Sequence, residues 1–312
     1  MRQSRHFHRG PRHFPGQPRQ DRPDTSQAKF LAGTAVDPSP RIRLEDGSKE
    51  LTMRAMDLIC PIGMGQRGLI VAPPGSGKTT FLKHICHAVS KAAPEIKLYC
   101  LLVDERPEEV TDFKRSVPAE VRSSSSDETY DHHIRVADDL MRQAMSEAGD
   151  GKNVLIVIDS LTRLSRVHNA ESRGTGRTLS GGVDARALEV PRRIFGAARK
   201  IEHGGSLTIL ATILVDTGSR MDQVIFEEFK GTGNMEIYLS REVANHRIFP
   251  AVDIAKSGTR REENLVAPDE LNRVRKLRRE LLSLGTVEAA KTLVTQLEKF
   301  PSNKALLQAL AI

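Results

Sequence analysis

The sequence predicts an open α/β sheet with helices on both faces, and three observations carry that reading. Near-continuous apolar runs recur along the chain: LYCLLVD over Leu98–Asp104, VLIVID over Val154–Asp159 and SLTILATILV over Ser206–Val215. Runs of this kind mark strands covered on both faces, as in a parallel sheet. Helical spacing separates them, at Phe81, Leu82, Ile85 and Val89 and again over Ile134–Ala148. That alternation is the pattern of a doubly wound domain. The third observation is a Gly-rich turn, Ala72-Pro-Pro-Gly-Ser-Gly-Lys78-Thr79, set between the apolar run Gly68–Val71 and the first helix.

A strand, a Gly-rich turn and a helix N-terminus in that order form an anion cradle, because free N–H groups and the helix dipole point at the ligand. Pro74, Gly75, Ser76, Gly77, Lys78, Thr79 and Thr80 are the residues expected to hold a nucleotide. Lys78 is expected on the β- and γ-phosphates and Thr79 on Mg²⁺. Ala72 departs from the usual pattern by standing at the first glycine position.

The bulk properties set the frame. A chain of 312 residues with 38% hydrophobic content can bury one large core plus appendages. A net charge of +7 and a pI near 9.4 suggest a polyanionic partner. With no Trp and 4% aromatic content, a base-stacking platform is not favoured. Cys60, Cys86 and Cys100 lack metal-like spacing and are expected as buried thiols. No apolar run is long enough for a membrane span and no signal segment follows the start, so a cytoplasmic protein without membrane contact is expected.

Four segments are expected. Residues 1–29 carry six Arg up to Arg22 and almost no apolar groups, which predicts a disordered basic tail. Residues 30–66 read as an extended lead-in, with turns at Asp37-Pro-Ser-Pro40 and Asp46-Gly47. Residues 67–267 hold the ATPase core, with a further strand at Met235–Leu239 and a helix over Ala185–Ile201 interrupted near Pro191. Residues 268–312 read as a small helical cap, from apolar positions Leu271, Val274, Leu277, Leu281 and Leu282 among Arg and Lys.

Around the nucleotide, Asp159 ends an apolar strand, the position of a Walker-B carboxylate that meets Mg²⁺. Asp104-Glu105-Arg106 follows another strand, and Glu105 is the expected activator of the attacking water. Two polar, Gly-rich, cationic loops, SRGTGRTLSGGVD (Ser172–Asp184) and DTGSRMD (Asp216–Asp222), are both expected to follow strands at the nucleotide end. Arg177 and Arg220 in them suit a phosphodiester backbone. Arg260 and Arg261 follow Ser257-Gly258-Thr259; spacing alone leaves them as surface residues.

At this point the residues resemble the bacterial transcription termination factor Rho family. The matching stretches are PIGMGQRGLIVAPPGSGKTT, LLVDERPEEVTDF, IDSLTRLSR, TLSGGVDARAL, GGSLTILATILVDTGSRMDQVIFEEFKGTGNMEIYLSR and RIFPAVDIAKSGTRREE. The resemblance covers residues 30–300. It implies a RecA-like P-loop ATPase core with a mostly parallel sheet, assembled as a homohexameric, ATP-driven RNA helicase and translocase that acts in transcription termination. It implies Lys78 and Thr79 on phosphate and Mg²⁺, Asp159 as the Walker-B residue and Glu105 as the water activator. Arg106 becomes a neighbouring structural or catalytic charge, and Arg260 an arginine finger reaching across the subunit interface. Phe249 packs on the adenine and Arg247 lies near the nucleotide. The two loops become RNA-facing pore loops, with Arg177, Thr178, Gly181, Gly182, Arg220 and Lys230 toward single-stranded RNA. RNA polymerase or a transcription complex is the further implied partner.

Three departures stand out. The family's N-terminal OB-fold domain, which captures RNA, is absent on this reading, with the short basic tail in its place. That puts RNA loading, and termination with it, in question. Gly75-Ser76 stands where the family has Lys-Ala, and Arg177 and Arg220 replace pore-loop lysines. Two other functions fit parts of the same pattern: a non-translocating regulatory subunit that joins rings of full-length Rho, and a rotary-type ATPase subunit.

Overall fold

The computed structural model describes residues 25–172, 178–184 and 186–310. The stretch 1–24 of the expected tail and Arg177 lie outside the described residues.

Helices occupy the segment expected to be extended. The chain enters through α1 (Thr25–Ala32), turns through α2 (Leu44–Gly47) and runs on in α3 (Leu51–Ile59). Every residue of α3 from Thr52 to Ile59 is buried, the polar ones included. Its two charged residues are buried because they are partnered. Asp57 accepts the backbone N–H of Leu44 (3.1 Å) and Glu45 (2.8 Å), which pins the first turn of α2. Arg54 donates to Leu297 O (2.6 Å) and pairs with Glu45 (3.2 Å). Helix α1 begins inside the expected tail because Phe30 is buried against the core and Ser26 donates to Asp150 (2.6 Å).

The core strands are β1 (Arg67–Ala72), β2 (Lys97–Glu105), β3 (Glu120–Ser125), β4 (Asn153–Asp159), β5 (Ser206–Leu214), β6 (Met235–Leu239) and β7 (Val252–Thr259). Their order across the sheet is β7-β6-β1-β5-β4-β2-β3, parallel throughout except for β7, which runs back along β6. A short strand at Arg199–Ile201 lies antiparallel to the start of β5 and carries Ala35–Val36 on its outer side.

Between the strands run α4 (Lys78–Ala92), α5 (Pro107–Ser116), α6 (Tyr130–Gly149), α7 (Leu161–Glu171), α8 (Glu189–Gly196), α9 (Arg220–Phe229) and α10 (Arg241–Asn245). Their starts are written locally: Thr129, Ser160, Ser219 and Ser240 cap α6, α7, α9 and α10 through side-chain oxygens, and Pro107 opens α5. Pro191, expected to interrupt a helix, sits in the first turn of α8, where no intrahelical N–H bond is lost. The cap is α11 (Pro268–Leu282), α12 (Thr286–Lys299) and α13 (Asn303–Ala309). Among the described residues no helix is long and apolar enough to cross a membrane.

Strand alternation divides the core into two layers. Cys100, Leu102, Leu155 and Val157 face α3, α4 and the C-terminal helices, whereas Leu101, Val103, Ile156 and Ile158 face α6, α7 and α9. Each large apolar side chain so covered contributes about 1.5–3 kcal/mol. The α2 turn seals one edge of the first layer. A Cβ on Gly47 would stand 2.0 Å from Ala88 O in α4, so backbone meets backbone there. Gly47→Ala is therefore expected to lower stability by about 1–3 kcal/mol. Urea denaturation measures this, and an unchanged midpoint would show that α2 is not packed this way.

Candidate nucleotide site

The carboxyl ends of β1, β2 and β4 open on one edge of the sheet, and the site is built there. At the end of β1 the chain turns through Gly75 (φ 77°) and Gly77 (φ 87°), both in the left-handed region that glycine tolerates. Ser76 is buried and its hydroxyl donates to Pro73 O (2.7 Å), closing the turn from inside. Helix α4 starts at Lys78 with Gly77 as its cap, which leaves first-turn N–H groups for an anion. Thr79 is half-buried in this first turn; Pro74 and Thr80 are exposed.

Lys78 Nζ contacts Asp159 Oδ2 and lies 3.8 Å from Glu105 Oε1. Both carboxylates are only 3% exposed. Glu105 reaches this face through a β-bulge. Along β2, Cys100 and Leu102 face the α4 layer and Val103 the opposite one, so simple alternation would turn residue 105 away. The register shifts between Val103 and Glu105, with Asp104 at φ 55°, and the extra residue brings Glu105 round to the lysine.

Arg163, in the first turn of α7, fixes the result. It donates to Asp104 O, and its Nε lies 3.2 Å from Glu105 Oε1. Among the described residues, Glu105 Oε2 is buried with no hydrogen-bond partner. Burial pushes the Glu105 carboxyl up to about 7, with the Asp159 charge adding to the rise and Lys78 and Arg163 opposing it. An ionisable acceptor with a free oxygen beside a phosphate loop is equipped to take a proton from water.

The donor set fits a magnesium nucleotide. Thr79 and Asp159 would supply one hydroxyl and one carboxylate, the sparse protein ligation Mg²⁺ uses when phosphates and water complete its shell. The exposed Phe249 ring comes within 3.6 Å of a Cβ placed on Gly77, so an apolar plate borders the phosphate loop. Arg247, at φ 59° in the same loop, is exposed.

Other expected residues lie elsewhere. Arg106 is exposed, caps α5 and faces Glu109 at 3.7 Å. Arg260 follows β7, whose last residue Thr259 pairs with Met235 at the start of β6. It therefore lies at the opposite edge of the sheet, roughly 17 Å of strand from the phosphate loop, and its guanidinium donates to Gly231 O (3.2 Å). Lys230 is exposed at the end of α9, 3.8 Å from Glu227 and over the Phe226 ring.

The two Gly-rich loops meet. A Cβ on Gly181 (φ 75°) would stand 2.9 Å from the Arg220 carbonyl, and Gly182 follows in the same turn at φ 77°. Thr178 pairs with Asp184 in a two-residue ladder. The first loop follows α7, not a strand as expected, and that is what ties it to the site. Asn169 of α7 accepts Asp184 N (2.7 Å) and donates to Gly182 O (3.2 Å). Arg166, also on α7, grips buried Asp222 with two bonds of 2.7 and 2.6 Å, and Thr217 adds a third at 2.6 Å. Arg163, Arg166 and Asn169 thus join Glu105 to both loops along one helix. None of the three is among the site residues expected from the sequence, although their three-residue spacing, Arg163, Arg166 and Asn169, is visible there.

A Gly-rich loop on a helix N-terminus, its lysine between two strand-end carboxylates, defines a P-loop ATPase. The sequence matches the ATP synthase alpha/beta family, nucleotide-binding domain, over residues 52–259. It is 48% identical over 289 residues to transcription termination factor Rho of Haemophilus influenzae, covering 91% of this chain and 69% of that one. Rho of Mycobacterium tuberculosis is 52% identical over 270 residues, covering 86% and 45%. The chain belongs to the Rho family of P-loop ATPases. In fold it is similar to a prototypical ATPase of a type III secretion system (TM-score 0.72, 24% identity, covering 89% of this chain and 85% of that one). It is similar likewise to the assembled EscN ATPase of enteropathogenic E. coli (TM-score 0.71, 22% identity, covering 90% and 73%).

The raised carboxyl gives a signed expectation. Folded Glu105 holds its proton to about pH 7, whereas the reference carboxyl releases it at 4.5. Between these values the folded state binds the extra proton, so this group's contribution to stability falls as pH rises. Glu105→Gln is expected to gain stability relative to the parent across that window and level off above it. Urea midpoints measured from pH 4.5 to 8 test this, and a difference that does not vary with pH would refute it. ATP hydrolysis by Glu105→Gln should be lost at every pH.

Proposed function

We propose that this chain is an RNA-stimulated translocase of the Rho type, hydrolysing ATP at subunit interfaces of a hexameric ring with single-stranded RNA in the channel. The observation that carries it is α7, which couples the Glu105 carboxylate to both cationic loops. The reading also draws on the relatives' role in transcription termination, which makes a transcription complex with RNA polymerase the setting of the activity.

In this mechanism Lys78 leaves the two carboxylates for the β- and γ-phosphates, and the first-turn N–H groups of α4 hold the phosphate oxygens. Thr79 and Asp159 would hold Mg²⁺, which would supply neutralisation of the phosphate charge. Glu105 Oε2, kept in place by Arg163 on the other oxygen, orients a water in line with the β–γ bond and takes its proton. Arg260 stands too far away to serve its own nucleotide and suits the γ-phosphate of a neighbouring subunit. Displacement of Arg163 with Glu105 would tilt α7, and Arg166 and Asn169 would carry that motion to Arg220 and the loop at Gly181. Arg177, Lys230 and Thr178 are assigned to the same RNA-facing surface.

Steady-state ATP hydrolysis with and without single-stranded RNA tests the proposal. Turnover should be stimulated by RNA and abolished by Lys78→Ala; a folded protein with no turnover in either condition would favour a regulatory subunit. Arg220→Ala should lose RNA stimulation while binding nucleotide normally. Arg260→Ala should cut turnover by about 10³-fold or more. Mixing it with Glu105→Gln should restore part of the rate, because some interfaces then pair an intact Glu105 with an intact Arg260. No recovery on mixing would place Arg260 outside a shared site.

A further inference from the structure

Strand β5 lies between the phosphate-loop strand and the Asp159 strand, and it carries three buried hydroxyls within an otherwise apolar run. Ser206 donates to Asn153 (2.8 Å), and Thr208 accepts the Gly65 N–H (2.8 Å), both near the start of the strand. Thr212 is different. It is fully buried near the carboxyl end, beside Ile70 of β1, and one step beyond the Ala211–Ile158 pair that aligns it with Asp159. Its hydroxyl lies 2.8 Å from Asp159 Oδ1 and 3.2 Å from Ile158 O. One proton serves one acceptor at a time, and the shorter contact to the charged oxygen is the stronger.

We propose that Thr212 is a positioning residue for the magnesium nucleotide, holding the Asp159 carboxylate so that Oδ2 faces the phosphate loop. The proposal rests on the nucleotide-site reading. Among the described residues Asp159 has two side-chain partners, Lys78 on Oδ2 and Thr212 on Oδ1. Lys78 is required on the phosphates once a nucleotide is bound, which removes the first. Thr212 is then the partner that stays, and without its hydroxyl the carboxylate would be free to rotate as the metal arrives. Residues that orient a metal ligand in this way typically change metal affinity by about 10–100-fold when replaced.

The test separates orientation from packing. Thr212→Val keeps the branched shape and removes the donor, whereas Thr212→Ser keeps the donor and removes a methyl group. A fluorescent ADP analogue is titrated without metal and at increasing Mg²⁺, alongside urea denaturation of the unliganded protein. Thr212→Val should raise the Mg²⁺ concentration for half-maximal enhancement of binding about tenfold, with metal-free binding within twofold of the parent. Thr212→Ser should follow the parent. Thr212→Ala also lacks the hydroxyl and should show the valine variant's shift, so the reading does not hang on one variant's folding. An unchanged Mg²⁺ requirement in Thr212→Val, or a serine variant as impaired as the valine one, overturns the proposal. Failure of the parent protein to bind the analogue at all would instead overturn the nucleotide-site reading.

Discussion

Two carboxylates buried within reach of one ammonium group set the terms for this molecule. Taking Glu105 and Asp159 out of water is costly, and burial together with the Asp159 charge holds the Glu105 carboxyl well above its ordinary value. Lys78 lies within reach of both carboxylates and opposes that rise. The arrangement is useful because it is unfinished: Oε2 of Glu105 has no partner in it. A phosphate that draws Lys78 away also removes the charge that most opposes protonation of Glu105.

The fold exists to bring these three residues to one edge. Parallel strands do this for Lys78 and Asp159 through their carboxyl ends, but alternation sends Glu105 the wrong way. The bulge at Asp104 corrects it, and Arg163 holds the corrected position from a different helix. Because Arg163 sits on α7, every adjustment of the carboxylate is also an adjustment of the helix that anchors Asp222 and Asp184. Site and loops are parts of one rigid connection.

What was legible in the sequence was local. The phosphate loop, Asp159 and Glu105 announce themselves because a turn, a strand end and a carboxylate are contiguous. Arg163 and Thr212 were not legible, since their meaning depends on which strand lies beside which, and that is fixed by register. A threonine within SLTILATILV looks like strand filler until Asp159 is found across from it. Helix α3 is hard to read for another reason: it is only nine residues long, and Thr52, Arg54 and Asp57 interrupt its apolar residues although all three are buried. The loop after α7 was placed after a strand because the helix between them was read only as a motif.

The reversal of β7 has a consequence for assembly. By running back along β6 it delivers Arg260 to the edge opposite the phosphate loop, so that, on the proposed reading, one chain presents two unlike ends of a catalytic unit. On that reading, head-to-tail contact joins the Arg260 end of one copy to the phosphate loop of the next, and such contact has no natural end unless the rotation closes on itself. On the proposed reading, a row of subunits always holds one fewer finished site than it has members, and ring closure is the step that supplies the last.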